Sequence, residues 1–165
     1  MKTLYILRHA KSDWSDGGLP DYERPLNKRG RIAAPLMGEV LKNSGFQPET
    51  IISSPAVRAK QTAEAVRDAA ELKGTINYDS RIYEARPQTL LQVIAEIDDA
   101  HESAMIVGHN PGLEGLIKIL TGELQTMPTA ALAVIDLDIS HWSEAIAATG
   151  KLRELLRPRE MENEK

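Results

Sequence analysis

Short apolar runs of strand length alternate along this chain with longer segments of helical periodicity. Such an alternation is typical of a sheet covered by helices, because each face of the sheet must bury its apolar side chains against another layer. The sequence therefore predicts an α/β fold. The predicted strands are Thr3–Leu7, Thr50–Ser53, Thr75–Tyr78, Ala104–Val107 and Ala131–Leu137, and Lys151–Arg157 is interpreted as a sixth strand.

Four helices are predicted between the strands. The first begins at Asn27, whose side chain can cap free backbone amides, and it ends near Gly45, a residue suited to a left-handed position. The other three open with a proline in the first turn and span residues 55–72, 87–97 and 111–120. A short helix is possible at residues 141–148.

Size and composition indicate one ordinary globular domain. The 165 residues are 42% hydrophobic and 27% charged, and we expect the domain to span residues 1–158, followed by a polar tail at 159–165. A chain of this length buries about 70% of its unfolded surface, so it needs no disulfide or metal to fold. The absence of cysteine removes zinc ribbons and thiol catalysis from consideration.

The net charge and the length of the apolar runs indicate which binding partners and which cellular compartment to expect. The net charge of −4 argues against a general nucleic-acid surface, so an anion site must be a local basic cluster. Only a few apolar residues precede Arg8, too few for a signal-peptide core, and no later run approaches the length that spans a membrane. We therefore expect a cytoplasmic protein without membrane association.

Histidine and arginine residues follow three of the predicted strands. Arg8 and His9 come directly after the first strand, Arg58 follows the second, and His109 comes after Ala104–Val107. Ligands in open α/β sheets bind at the carboxyl ends of the strands, so residues a hundred positions apart can meet there. The spacing predicts one pocket.

Two of these strand exits also lead into helices. Ser54 is predicted to cap the second helix, with Arg58 one turn inside it, and Asn110 is predicted to cap the fourth helix beside His109. The amino end of a helix favours an anion, because its free amides and its dipole both point there. We expect a phosphate group at this place.

The residue types suit phosphoryl transfer through a covalent intermediate. A neutral imidazole can attack phosphorus, while arginine donates two parallel hydrogen bonds to the phosphate oxygens and stays protonated. The neighbouring cations should lower the pKa of His9 and keep it unprotonated, which favours His9 as the nucleophile. The arginines can supply the charge that a metal gives elsewhere, so neither a metal nor a cofactor is expected.

Leu7-Arg8-His9-Ala10 resembles the signature of the histidine phosphatase superfamily, which includes phosphoglycerate mutases and acid phosphatases. Asp21-Tyr22-Glu23-Arg24-Pro25, Ser53-Ser54-Pro55-Ala56-Val57-Arg58 and Val107-Gly108-His109-Asn110-Pro111 resemble the small SixA-type phosphohistidine phosphatases, so the resemblance spans nearly the whole chain. It implies a three-layer sandwich with a mostly parallel central sheet and helices on both faces, as in phosphoglycerate mutase.

The same resemblance implies roles for individual residues. His9 would be the phosphorylated nucleophile, and Arg8, Arg58 and His109 would line the phosphate pocket. Further candidates for binding the phosphate are Lys11, Ser12 and Asn110. Arg24 and Arg29 are expected to be structural residues or residues of the pocket rim, and Lys60 is expected to face solvent.

The spacing also bears on the substrate. Only 51 positions separate Arg58 from His109, which leaves no room for the helical cap that larger relatives insert. The pocket should therefore be open. An open pocket suits a phosphoryl group on a folded protein, so the predicted reaction removes phosphate from phosphohistidine on a partner protein.

The acid that protonates the leaving group is less well defined. Larger relatives use a carboxylic acid between these motifs, and Glu84 in Tyr83-Glu84-Ala85 is the candidate. A solvated glutamate before a helix explains Glu84 equally well. An imidazole leaving group also needs less help than an alkoxide, and His109 is an alternative donor.

Three other functions are open. A phosphomonoesterase or mutase for small molecules would share the nucleophile, and a phosphate-binding module would keep the fold without turnover. A metal hydrolase using His9, His109 and Asp13 is disfavoured, because the adjacent arginines would repel a cation. Residues 11–26 form a long connection that is either a binding loop or a packed surface loop.

Overall fold

One six-stranded sheet forms the centre of the computed structural model, which describes residues 1–158. The predicted polar tail at 159–165 lies outside the described residues. The strands are β1 (Lys2–Arg8), β2 (Thr50–Ser53), β3 (Ile76–Tyr78), β4 (Ser103–Gly108), β5 (Leu132–Leu137) and β6 (Gly150–Leu156). The helices are α1 (Lys28–Asn43), α2 (Val57–Ala70), α3 (Pro87–Ala95) and α4 (Gly112–Thr121).

The strand order is β3-β2-β4-β1-β5-β6. The first four strands of the chain pair in parallel, β5 runs antiparallel to β1, and β6 runs antiparallel to β5. Five strands therefore point in one direction and only β5 opposes them. The mostly parallel sheet is confirmed, and the last predicted strand is present as β6.

The two faces of the sheet carry separate cores. Successive side chains of a strand point to opposite faces, so Leu4 and Ile6 pack with α3 and α4, whereas Tyr5 and Leu7 pack with α1 and α2. Each helix pair covers the apolar side chains of one face. The predicted three-layer sandwich with helices on both faces is thereby confirmed.

The connection between α2 and β4 is short. It holds only β3, a 3₁₀ turn at Ser80–Ile82 and α3. No cap subdomain is inserted in this part of the described chain, as expected from the spacing of Arg58 and His109. None of the helices within residues 1–158 combines the length and the apolar character needed to cross a membrane.

The start of α2 differs from the prediction. The helix begins at Val57, two residues after Pro55, and Arg58 is its second residue. Ser54 does not cap it, because the Ser54 hydroxyl oxygen accepts a hydrogen bond from the Ala56 amide at 3.2 Å. This local turn leaves Ala56 extended, with ψ at 140°, so the helix starts only after it.

The predicted cap of α4 is also wrong. Asn110 precedes a cis peptide bond to Pro111, and α4 begins at Gly112 without a side-chain cap. The Asn110 side-chain amide instead donates to the Glu114 carboxylate at 3.0 Å and to the Met127 carbonyl at 2.8 Å. By contrast, Asn27 caps α1 as predicted, since its side chain accepts from the Gly30 amide at 2.9 Å.

Candidate active site

The carboxyl ends of β1, β4 and β2 lie side by side, because β4 is paired with both of the other strands. The His9 amide donates to the Gly108 carbonyl at 3.1 Å, and the Ser54 amide donates to the Val107 carbonyl at 2.9 Å. The rings of His9 and His109 are consequently 5.1 Å apart between centroids. The sheet brings together the strand exits that the sequence singled out.

His9 is buried, with 7% of its surface exposed, and one of its ring nitrogens is already bonded. The Nδ1 atom lies 2.7 Å from the Ala10 carbonyl oxygen. A carbonyl oxygen can only accept, so Nδ1 carries the hydrogen and Nε2 keeps its lone pair. The Arg58 Nε–H donates toward that Nε2 atom at 3.4 Å.

The pKa of His9 is lowered to about 4, chiefly by burial; the bond to Ala10 opposes the shift, and the positive charges of Arg58 and Arg8 add to it. The direction agrees with the prediction from the sequence. Its main cause does not, because desolvation of the imidazolium outweighs the effect of the neighbouring cations. His9 is therefore neutral at physiological pH, as a nucleophile must be.

Arg58 is held firmly in its place beside His9. Its Nη1 atom donates to the Asp21 carbonyl at 2.7 Å, and its Nη2 atom donates to the Asp21 carboxylate at 3.0 Å. Behind it, the Thr62 hydroxyl donates to the Arg58 carbonyl at 2.7 Å and accepts from the Ala10 amide at 2.9 Å. Thr62 thus ties the backbone after His9 to α2.

Asp21 is a site residue that the sequence reasoning missed. It lies on a short 3₁₀ helix (Asp21–Glu23) within the long connection between β1 and α1. The Tyr83 hydroxyl donates to its carboxylate at 2.6 Å. That bond, and next the bonds from Arg58, lower the pKa of Asp21, which therefore stays ionised. The unusual length of this connection was the signal available in the sequence.

Tyr83 joins Asp21 to the histidine pair. Its ring packs edge-on against His109, at 5.4 Å between centroids, and edge-on against Tyr22, at 5.0 Å. Burial and the bond to Asp21 raise the pKa of Tyr83 to about 12. Its hydroxyl therefore remains a donor at neutral pH, and Asp21 remains the acceptor.

His109 faces the same pocket from the end of β4. Its Nε2 atom lies 2.8 Å from the Ser54 hydroxyl oxygen, and its Nδ1 atom is buried without a hydrogen-bond partner within residues 1–158. Burial chiefly lowers the pKa of His109 to about 3, with further contributions from His9 and Arg58. His109 is therefore neutral as well.

Arg8 immediately precedes His9 in the chain. Its Nη1 atom donates to the Met127 carbonyl at 2.9 Å, and its Nε atom is buried without a hydrogen-bond partner in the described part of the chain. The side chain lines a cavity of about 770 Å³ whose lining includes neither His9 nor His109. Its charge still contributes to the lowered pKa of His9.

None of the remaining candidate residues forms a hydrogen bond with His9 within residues 1–158. Lys11 is exposed on the cavity beside Arg8, and the Ser12 hydroxyl oxygen accepts from the Trp14 indole at 2.9 Å. The Asn110 amide is bonded to Glu114 and Met127. Glu84 is exposed on the turn before α3, with a left-handed φ of 54°.

The metal alternative also lacks its ligand set. Within residues 1–158, no three side chains of histidine, aspartate or glutamate are grouped so that they could hold a metal ion. The Asp13 carboxylate instead accepts from the amide and the hydroxyl of Ser15, at 2.8 and 2.6 Å.

A neutral histidine lies beside an anchored arginine at the end of the first strand of an α/β sheet, an arrangement that fits a phosphatase. Residues 4–89 match the histidine phosphatase superfamily, branch 1, and the chain belongs to this family of hydrolases.

Within the superfamily the chain is similar to SixA proteins. A solved structure from Agrobacterium tumefaciens, assigned as a phosphohistidine phosphatase SixA, is 32% identical, with a TM-score of 0.83 over 95% of this chain and 98% of that one. The phosphohistidine phosphatase SixA of Escherichia coli is 27% identical over 141 residues, which are 83% of this chain and 86% of the relative. A tungstate complex of the protein histidine phosphatase SixA, 23% identical, has the same fold, with a TM-score of 0.84 over 96% of this chain and 99% of that one.

Proposed function

We propose that this protein removes the phosphoryl group from phosphohistidine on a partner protein, through a phosphorylated His9. The observation that carries the proposal is the state of His9, whose ring is neutral, bonded through Nδ1 to Ala10, and carries its lone pair on Nε2, toward which Arg58 donates at 3.4 Å. The similarity to SixA proteins supports the choice of substrate.

In the first step the Nε2 lone pair of His9 attacks phosphorus, and the bond between phosphorus and the substrate nitrogen breaks. The leaving imidazole takes up a proton from the proposed general acid, Glu84. The His9 ring becomes positively charged as it gains the phosphoryl group, and the Ala10 carbonyl, which accepts the Nδ1 hydrogen, stabilises that charge. Arg58 and Arg8 would hold the phosphate oxygens.

In the second step a water molecule gives one proton to the Glu84 carboxylate and attacks phosphorus, the bond to His9 breaks, and inorganic phosphate leaves. The neutral ring is regenerated, still bonded to Ala10. His109 is proposed as a hydrogen-bond donor through Nδ1, which no described protein group occupies, with the Ser54 hydroxyl donating to its Nε2 atom. Because its pKa is about 3, His109 is unprotonated at neutral pH and is a poor general acid.

Glu84 remains the proposed general acid. It follows Tyr83 directly, and Tyr83 contacts both Asp21 and the His109 ring. A phosphohistidine substrate lessens the demand on this acid, because imidazole is a far less basic leaving group than an alkoxide. Glu84→Gln should therefore slow the hydrolysis of a phosphate ester more than the hydrolysis of phosphohistidine.

The architecture favours a protein substrate. No subdomain closes over the pocket in the described chain, so a phosphorylated side chain can reach His9 from the surface of another folded protein. Lys11, Ser12 and Asn110 stay as proposed phosphate-binding residues, and all three lie near the carboxyl ends of β1 and β4.

The test is to trap the intermediate. A histidine-containing protein is phosphorylated with ³²P-labelled phosphoramidate and mixed with wild-type enzyme, with His9→Ala, and with His141→Ala as a control at an exposed histidine outside the site. Wild type and His141→Ala should hydrolyse the substrate and carry an acid-labile, alkali-stable label on the tryptic fragment that begins with His9. Preserved turnover in His9→Ala would refute the covalent route.

A panel of sugar phosphates in the same assay decides the substrate class. Faster turnover of a sugar phosphate than of the phosphoprotein, with the same label on His9, would assign the protein to the small-molecule phosphatases. Phosphate binding without turnover of any substrate would make it a binding module.

A further inference from the structure

A cationic cavity adjoins the proposed phosphate pocket. It lies between the end of β1, the start of α1, the loop before β5 and the end of β6, and its volume is about 770 Å³. Four cationic side chains and a single carboxylate are among its lining residues, namely Arg8, Lys11, Arg29, Arg157 and Glu114.

We propose that this cationic cavity binds acidic side chains of the phosphoprotein substrate, close to its phosphohistidine. The proposal rests on the proposed function and adds a specificity: the enzyme prefers phosphohistidine in an acidic sequence context. The cationic cavity is lined by other residues than His9, Arg58 and His109.

Two of the positive charges of the cavity are available to a ligand. The side chains of Lys11 and Arg29 are exposed, and neither makes a hydrogen bond or an ion pair within residues 1–158. The Glu114 carboxylate, in contrast, already accepts from the Asn110 side-chain amide at 3.0 Å and from the Met127 backbone amide at 2.7 Å. With four cationic side chains against one carboxylate in its lining, the cavity is electropositive on a chain whose net charge is −4.

The cavity and the nucleophile are adjacent along the backbone. Arg8 lines the cavity, and the next residue is His9, so their Cα atoms are about 3.8 Å apart. A substrate whose phosphohistidine reaches His9 can thus place its neighbouring residues over or beside the cavity. Opposite charges at such a contact raise the rate of association and fix the orientation of the partner.

Size favours side chains of a protein over a single anion. Pockets for whole small ligands have volumes of about 300 to 1,000 Å³, so this cavity exceeds the space that one phosphate needs. Thr126 and Thr129 add hydroxyl groups to the wall, which can donate to carboxylates. Several acidic side chains of one partner segment match this combination of volume, charge and donors.

The experiment compares two phosphohistidine peptides of equal length, one flanked by Asp and Glu and the other by Asn and Gln at the same positions. Wild type should hydrolyse the acidic peptide with the higher kcat/KM at low ionic strength. Arg29→Gln should lower the ratio of the two kcat/KM values by about 2- to 5-fold, as expected for the loss of one exposed charge pair. The effect should appear as a higher KM for the acidic peptide. Near 1 M salt the preference should disappear, because the Debye length falls to about 3 Å.

Lys28→Gln is the matched control. Lys28 is also exposed in the first turn of α1 and loses the same charge, but it does not line the cavity. The ratio should stay at its wild-type value in this variant. An equal fall in Lys28→Gln and Arg29→Gln would mean that only the overall charge matters, and it would overturn the proposal.

The remaining outcomes separate this proposal from the function on which it rests. Equal hydrolysis of both peptides by wild type overturns the acidic preference and leaves the phosphohistidine phosphatase intact. No hydrolysis of either peptide overturns both. Faster hydrolysis of a bisphosphorylated sugar, lost in Arg29→Gln, would assign the cavity to the second phosphate of a small substrate and overturn the proposal.

Discussion

The Nδ1 atom of His9 lies 2.7 Å from the carbonyl oxygen of the next residue, Ala10. This contact decides which nitrogen of the ring is free, because the carbonyl can accept only from a protonated Nδ1. The Ala10 amide in turn donates to the Thr62 hydroxyl at 2.9 Å, so the backbone that sets the tautomer is itself held by α2. In the proposed mechanism the attacking nitrogen is therefore Nε2.

A direct test of this state is the nuclear magnetic resonance of the His9 ring. We predict a neutral ring with the hydrogen on Nδ1 at pH 7 and a pKa of about 4, because burial disfavours the imidazolium. Two-dimensional ¹⁵N spectra of the imidazole groups report both properties, and His9→Gln assigns the signal. A ring that carries its hydrogen on Nε2, or that titrates near 6.5, would contradict the assignment of the nucleophile.

The same low pKa makes the stability of the fold depend on pH. The unfolded ring takes up a proton near pH 6.5, whereas the folded ring does so only near pH 4. Between these values the unfolded state binds more protons, so the free energy of unfolding decreases as the pH falls. From pH 7 to pH 5 we predict that His9 contributes a loss of about 2 kcal/mol. Urea unfolding at both pH values measures it. His9→Gln should lose less stability over that interval, and an identical loss in both proteins would contradict the prediction.

Removal of the Arg58 guanidinium should slow turnover strongly. Loss of one preorganised donor to the transition state costs about 2.7 to 4 kcal/mol, so Arg58→Ala should lower kcat by about 10² to 10³. Arg58→Lys keeps a charge but loses the planar fork that reaches both His9 and Asp21, so it should recover only part of the rate. Steady-state kinetics with a phosphohistidine protein tests this, and full activity of the lysine variant would show that charge alone suffices.

Asp21 and Tyr83 are predicted to position Arg58. Asp21→Asn removes the charge that Arg58 Nη2 contacts at 3.0 Å, and we expect kcat to fall by about 10-fold, the effect of losing one charged hydrogen bond. Because the Asp21 charge favours protonated His9, its removal should also lower the pKa of His9 further. Tyr83→Phe keeps that charge and is the matched control for the titration. An unchanged His9 pKa in Asp21→Asn would refute the electrostatic link.

Thr62 is predicted to matter for both folding and rate. Thr62→Val keeps the shape but leaves the Ala10 amide without its acceptor, and an unsatisfied buried donor costs about 1 to 3 kcal/mol. The backbone after His9 also loses its anchor, so kcat should fall. Thr62→Ser restores the hydroxyl and should recover most of both losses in urea unfolding and in the kinetic assay. Equal stability of the valine and serine variants would contradict this role.

Local sequence signals were sufficient to predict the strands and to predict that His9, Arg58 and His109 lie close together. Apolar runs predicted the strands within one or two residues, because burial on both faces of the sheet requires continuous apolar strands such as β4. Parallel strands then place their carboxyl ends at one edge, so His9, Arg58 and His109 had to approach each other. The three-layer sandwich followed from the same pattern together with the family resemblance.

The errors arose where side chains compete for nearby partners. Ser54 and Asn110 have the composition of helix caps, yet Ser54 bonds the Ala56 amide and Asn110 bonds Glu114 and Met127. Short polar side chains can bond nearby backbone groups instead of capping a helix, as Ser54 does with the amide two residues on. For Asn110 the outcome depends on where the loop before β5 lies, which no local pattern contains.

The sequence by itself determined the strand exits, the residue types at them and the family to which the chain belongs. Only the tertiary structure decided that Asp21 holds Arg58, that burial more than charge lowers the pKa of His9, and that Arg8 opens onto a separate cationic cavity. The periodicity of helices and strands and the candidate capping residues depend on residues that are close together in the sequence. Desolvation and hydrogen-bond partners are set by residues such as Asp21, Tyr83 and Met127, which the fold brings together across as many as 119 positions of the chain.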